Sequence, residues 1–503
     1  MNMLVRLLWV GCGVGVSTSG LAAEWSSVFT VPVSVGYTDN ANLAAGDKKQ
    51  DESFWRIAPG FGLSAKAPHW NASVGYAYSL EQRSGDASHH DNQHLSAQFD
   101  SEVASNLLFL DANATISQQR ENVLDAAGFS GQNLRDVYSW TVRPALRHQF
   151  ANASRAEVAV AEYGVSSSGS NHAGDGMGER VNAGISSGGM LDALRLDLSG
   201  NDDRFRYDQP VAAAAANETH SQSAALSATL TVSPRVTPYA SYGYERYYDT
   251  VASARPSQTY WRAGTMWVPS ARTNLDANYG KRFSGETWAF NFRHNMRRFN
   301  WSLAYVQDVR TGRQDFVNPE SLAIFNSLND NTSLKAAVPD AAARAALVGL
   351  LMQSQGLAPI TVLADRRYLD RSLTSNLAYS TAKSNSSLTV YWRDSDANKV
   401  SLPWGGGNPA GAGEHVRQKG AGLNWGYRLG VNTSLSAGLG GNIEQEPASG
   451  VENRNTYGRL GLSYVLGRHV SGTAEFRRND RRADDSSRDY TENSILLSLV
   501  GTF

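Results

Sequence analysis

Apolar and polar residues alternate along most of this chain with a period of two. In 224–232, Ala224, Leu226, Ala228, Leu230 and Val232 share one parity, while Ala225, Ser227, Thr229 and Thr231 occupy the other. Trp288, Phe290 and Phe292 alternate with Ala289, Asn291 and Arg293. Tyr138, Trp140, Val142 and Leu146 alternate with Ser139, Thr141, Arg143 and Arg147. Successive side chains of a strand point to opposite faces, so the pattern predicts strands with one apolar and one polar face. About 22 such segments (18–24), each roughly 10–14 residues long, fill 24–503, and a tilted strand of about that length crosses a bilayer. The polar parity is rich in Ser, Thr, Asn and Gly, which suits a watery interior better than a dry sandwich core.

The links between segments give a second test. Short ones recur at 68–71, 151–154, 233–235, 268–272, 383–386 and 466–469. Longer polar ones lie between them, at 39–53, 120–134, 207–218, 249–257, 397–414 and 445–454. Alternating short and long links are expected of a porin-type barrel, with tight periplasmic turns and longer loops outside. The predicted fold is therefore an all-β, antiparallel transmembrane β-barrel, forming a single domain over 24–503. The tight link at 284–286 is the exception on the outer side.

One insert, 313–368, breaks the period. Asn318, Pro319 and Glu320 read as a helix start, and Asp340 precedes a run of helix formers that stops at Gly356. Two short helices in an outer loop follow, packing on the rim as a small surface lobe, capping the mouth or folding into the lumen as a plug.

Composition then removes other classes. Only 18% of residues are charged, Trp and Tyr number 12 and 21, and the mean hydropathy is −0.39. High aromatic content argues against disorder, and a net charge of −1 gives no reason to expect nucleic acid. Residues 1–23 read as a cleaved secretory signal: a basic MNMLVR start, a short apolar run and a small-residue LAAEW end. Cys12 is the only cysteine, so the mature chain has no disulfide, thiolate metal site or cysteine nucleophile. No apolar run of 18 residues follows; any membrane crossing is made by strands.

Catalytic and cofactor patterns are weak. His89, His90, His94 and Asp91 cluster in sequence, but on a strand His90 and His94 stand about 13 Å apart. The Gly stretch 404–413 lacks the Gly-Lys-Ser/Thr ending of a phosphate loop. Acidic runs at 201–208, 393–398 and 481–489 fall where outer loops are expected, without calcium-loop spacing. The reading is a non-enzyme with no cofactor and no metal site.

The usable polar signal is a set of charges on the polar parity: Arg143, Arg147, Arg293, Asp308, Arg310, Arg393, Glu475 and Arg477. Charges are costly against lipid at mid-membrane, so this parity is the expected lumen and these residues are the candidate pore lining. They either set a field for ions and anionic polymers or pair with one another and hold the wall. Tyr239 and Tyr391, on the same face, are single aromatics that a sugar ring would stack on.

The opening SVGYTDNANLAAGDKKQDESFWRIAPGFGLSAKAPHW carries a resemblance. Its element Tyr37, Thr38, Asp39, Asn40, Asn42 and Leu43, followed by a polar loop and Pro59–Gly60, is similar to the outer-membrane barrels associated with PEP-CTERM/exosortase exopolysaccharide loci. The helical insert followed by Arg366 and Arg367 also resembles that family. The resemblance implies a Gram-negative outer-membrane location, a link to exopolysaccharide biosynthesis or export, and no catalytic residues. The expected partners are outer-membrane lipid, polysaccharide and periplasmic export components. The alternatives are a plugged structural or assembly barrel that docks periplasmic partners, and an outer-membrane hydrolase.

The chain ends in SILLSLVGTF. Ile495, Leu497, Leu499 and Phe503 share one parity, and a terminal aromatic on an alternating strand resembles the signal read by the bacterial barrel-assembly machinery. This strand is expected to close against the first, near Phe29–Tyr37.

Overall fold

A computed structural model describes residues 23–85, 89–120, 134–151, 153–168, 175–189, 191–208, 218–249, 257–282, 285–311, 367–396 and 415–503. Twenty-three hydrogen-bonded segments form one antiparallel sheet in which chain neighbours pair. The first, β1 (Glu24–Thr38), also pairs with the last, β23 (Tyr490–Thr502), in register from Thr30↔Thr502 to Thr38↔Ser494. The sheet therefore closes on itself.

Two of the segments are halves of one wall strand. β2 (Glu52–Ile57) and β3 (Gly60–Ala67) keep a single register against β1, with Val33↔Ile57 and Thr30↔Gly60. They also share a register against β4 (Trp70–Arg83), with Ile57↔Leu80 and Gly60↔Ala77. Pro59 and Pro32 cannot donate to the ladder, and that alone divides the strand. The Ala58 amide still donates to the Pro32 carbonyl at 2.9 Å. The wall thus has 22 strands, an even number that puts the start of β1 and the end of β23 on one side.

The period-two pattern sorts the faces. Leu146 is 53% exposed, Leu226 53% and Leu439 63%, all on the outward parity where lipid replaces water. The opposite parity carries hydroxyls and amides that bond across strands. Examples are Ser34 to Ser498 at 2.8 Å, Thr115 to Ser139 at 2.6 Å, and Thr389 donating to Asn376 at 2.8 Å. An apolar belt outside and a polar lining inside define a transmembrane barrel. Among the described residues no helix is long and apolar enough to cross a membrane.

Glycines on the wall face aromatics on the next strand. A Cβ on Gly36 would fall on the Phe54 ring, on Gly178 on Tyr163, on Gly420 on Tyr391 and on Gly264 on Tyr239. Each ring lies across its register partner, so the missing side chain makes room for a flat aromatic on the inner wall. Tyr239 and Tyr391 therefore lie along the wall. Tyr391 is 2% exposed and offers no free face.

Connections at the end that holds Glu24 and Phe503 span two to seven residues, from 271–272 to 187–193. This is the periplasmic end by the usual asymmetry of such barrels. The acidic runs differ from expectation. Residues 201–207, 393–396 and 481–483 belong to strands, because the wall continues past the apolar belt at the outer end. Arg367 and Tyr368 likewise open the strand β17 (Arg367–Ser380), paired with Thr311 and Arg310. The rest of the insert, 313–366, lies outside the described residues, as do 1–22, Arg366 and the 404–413 stretch.

Candidate functional site

The inner wall carries ion pairs at several heights. On β6 (Leu108–Arg120), β7 (Leu134–Gln149) and β8 (Arg155–Ser167), Arg143 donates to Asp111 at 2.9 Å and also to Glu157. Arg147 reaches Glu157 at 3.2 Å and Asp111 at 3.7 Å, with its guanidinium 4.7 Å from the Phe109 ring. These four charges form one closed square on three adjacent strands. Alternation on β6 and β8 places Asp111 and Glu157 on the same inner face, but only register puts them beside the two arginines.

A second group joins alternate strands. Arg282 donates to Glu245 at 2.7 Å and to Asp308 at 2.9 Å, so one guanidinium links β12 (Val236–Asp249), β14 (Thr273–Arg282) and β16 (Phe299–Thr311). Arg282 was not among the residues the sequence pointed to, since it closes its strand beside a turn. Arg393 donates to Asp370 at 2.6 Å and to the Tyr368 hydroxyl at 3.2 Å. Glu475 accepts from Arg477, and Arg459 stands 3.8 Å away. Arg310 shares the parity of Asp308, and its side chain lies outside the described residues.

Arg293 is the exception among the candidates. It is exposed on the inner parity of β15 (Gly285–Asn295), opposite Asn274, and makes no ion pair with a described residue. The neighbouring carboxylate, Asp276, accepts the Tyr239 hydroxyl at 2.7 Å. Paired arginines and carboxylates brace the wall and cancel much of each other's field; Arg293 keeps its own.

The outer half of the inner wall is closely packed. Tyr163 stacks on Phe205 at 5.9 Å, Phe205 meets Tyr207 edge-on at 4.9 Å, and Asp203 binds Tyr163 and Arg180. Glu444, Glu492 and Arg481, at the outer ends of three strands, are at most 1% exposed. Inner-wall side chains are therefore buried at that level and more exposed toward the periplasmic end. His94 takes the inner parity of β5 (His89–Ala104), and the side chains of His89 and His90 lie outside the described residues. No described group of three His, Cys, Asp or Glu side chains is arranged to hold a metal ion.

The element Tyr37–Leu43 clasps the barrel seam at its outer end. Thr38 donates to Glu492 at 3.0 Å, and Asp39 accepts from the Asn493 amide and side chain, both at 2.7 Å. Asn40, fully buried, donates to the carbonyls of Thr491 at 3.0 Å and Ala44 at 2.9 Å and accepts the Ala44 amide. Asn42 ties Lys48 and Gln50 into the same loop, Leu43 sits at φ +52, and Tyr37 reaches Asp51 at 3.4 Å. At the other end of the seam Phe29 and Phe503 exchange backbone bonds of 2.8 and 2.9 Å. The Phe503 ring stacks against His469 and meets the Phe29 ring at a tilt. Ile495, Leu497 and Leu499 face outward, each about half exposed. Beside the clasp, Ser487 bonds hold the Asp485 carboxyl below the usual carboxylate range in the loop 484–489.

Fold and wall define an integral β-barrel of the Gram-negative outer membrane. No family model matches the sequence, and no curated protein does. Solved barrels resemble it at low identity. The ferric-catecholate import receptor Fiu from E. coli in its open form is 9% identical, with a TM-score of 0.49 over 95% of this chain and 82% of that one. The iron transporter FrpB from Neisseria meningitidis is 10% identical, with a TM-score of 0.48 over 94% and 81%. The siderophore receptor PirA from Pseudomonas aeruginosa is 7% identical, with a TM-score of 0.47 over 95% and 80%.

Proposed function

We propose that this barrel is a porin-like channel of the outer membrane serving exopolysaccharide export. The observation that carries the reading is the inner wall: hydroxyls, amides and compensated charges line a 22-strand barrel, and such a lining suits a hydrated sugar polymer. The Tyr37–Leu43 element adds the link to polysaccharide loci through its resemblance to barrels of the PEP-CTERM/exosortase type. The wall gives a transport role no catalytic residue to depend on.

Removing the protein from its host and following the polymer tests this. The expected outcome is polysaccharide retained in the periplasm with little at the cell surface, restored by the intact chain. Normal surface polysaccharide in the deletion strain would refute the export role. A second reading has a specific observation behind it. The buried charges at the outer end favour a barrel that rests occluded and docks periplasmic partners. Near-zero conductance of the reconstituted full chain, with a periplasmic protein co-purifying, would favour that reading instead.

A further inference from the structure

Around the periplasmic end, charge is divided unevenly. Six consecutive turns, from 231–235 to 466–469, each carry or directly follow an Arg or Lys, and none holds an Asp or Glu. The first three hold Arg235, Arg272 and the pair Arg297–Arg298. The next three hold or adjoin Lys383, Arg428 and Arg468. All are exposed, and among the described residues none makes an ion pair or a side-chain hydrogen bond. The remaining periplasmic arc is mixed, with Glu24, Glu102 beside His69, and Asp192.

We infer that this arc is a capture surface for a polyanionic polysaccharide, presented at the periplasmic mouth. The inference rests on the export reading and names its substrate class. Turns at one end recur every second strand, about 10 Å apart along the rim. That is about one screening length at 0.1 M salt, so neighbouring cations act together on a chain of carboxylates or sulfates and only weakly on a single small anion. The cations also continue inward. Arg293 and Arg428 take the inner parity just above their turns, while the outward parity at this level is aromatic, with Trp267, Tyr379 and Tyr464 exposed and Tyr427 half-buried. Cations serving anionic lipid headgroups would lie on that outward face. Cations leading into the lumen serve a ligand that enters it.

Full-length protein reconstituted in one orientation in planar bilayers, and the same protein in detergent, give the test, with polygalacturonate as probe and dextran of matched length as the neutral control. Polygalacturonate added on the periplasmic side should interrupt the current more readily than from the outer side, and dextran should show no such preference. Binding in detergent should weaken at least about tenfold on raising the salt, as screening requires. The variant R297Q/R298Q/K383Q/R428Q/R468Q should lose a similar factor while its heat-modifiable gel mobility shows a folded barrel. Equal block from both sides, salt-insensitive binding or unchanged affinity in a folded variant would overturn the inference. So would retention of anionic phospholipid or capture of an acidic periplasmic protein with no affinity for polygalacturonate. If the barrel conducts and the deletion strain retains polymer, but polygalacturonate shows no preference, export stands and the polyanion assignment falls. If detergent-phase binding holds while the deletion strain exports normally, the reverse is true.

Discussion

Asn40 shows how much a single side chain holds here. Its amide is fully buried and engaged with Thr491 and Ala44, so Asn40→Ala leaves those backbone groups without partners in a dry place. The expected loss is about 1–3 kcal/mol, read as a lower temperature for conversion to the unfolded band in heat-modifiability gels. Arg143 behaves differently. Its ion pairs are about one-quarter to one-third exposed, so Arg143→Ala should cost only about 1 kcal/mol. Restoring charge balance with Asp111→Asn in the same chain should recover part of that in a double-mutant cycle. If Arg143 instead set the ion preference of an open path, its loss would shift reversal potentials, and the braced square predicts little change. The sequence places Arg143 and Arg147 on the inner parity, but their carboxylate partners come from strands whose register one chain of letters does not state.

Among the elements, the first and last strands govern closure. Gly36 pairs with Phe54 on one side and Leu496 on the other, and a methyl there would meet the Phe54 ring. Gly36→Ala should therefore destabilise the seam by about 1–3 kcal/mol, and Phe54→Leu in the same chain should relieve it, both measured by thermal unfolding in detergent. The same inner patch, with Pro32 and Gly36 opposite Val500 and Leu496, explains why the closing strand is less polar inside than its neighbours. Deleting Phe503 removes its backbone exchange with Phe29 and the ring against His469. Folded barrel recovered from outer membranes should fall severalfold; unchanged recovery would show that the terminal residue plays no part in closure or assembly. Strand number and the position of the closing strand were legible in the sequence because period two survives in every strand. Strand length was less legible: acidic residues at 201–207 look like loop, yet the wall extends beyond the apolar belt and uses them in strand ladders.

For the whole molecule, a net charge of −1 conceals a strong arrangement. Carboxylates and arginines meet inside the wall, while uncompensated cations gather along half of the periplasmic rim. Those cations are spread over more than 230 residues of sequence, and only alternating turn sidedness brings them to one edge. The central claim is that the two parities of the wall face lipid and water. Cys12 is the sole cysteine of the sequence, so in a Cys12→Ser background single cysteines can be placed along β15 at Trp288, Ala289, Phe290, Asn291, Phe292 and Arg293. Labelling these in outer membranes with a charged, water-soluble maleimide should mark 289, 291 and 293 and spare 288, 290 and 292. Uniform labelling, or labelling of the aromatic positions alone, would contradict the barrel's assigned faces and every role argued from them.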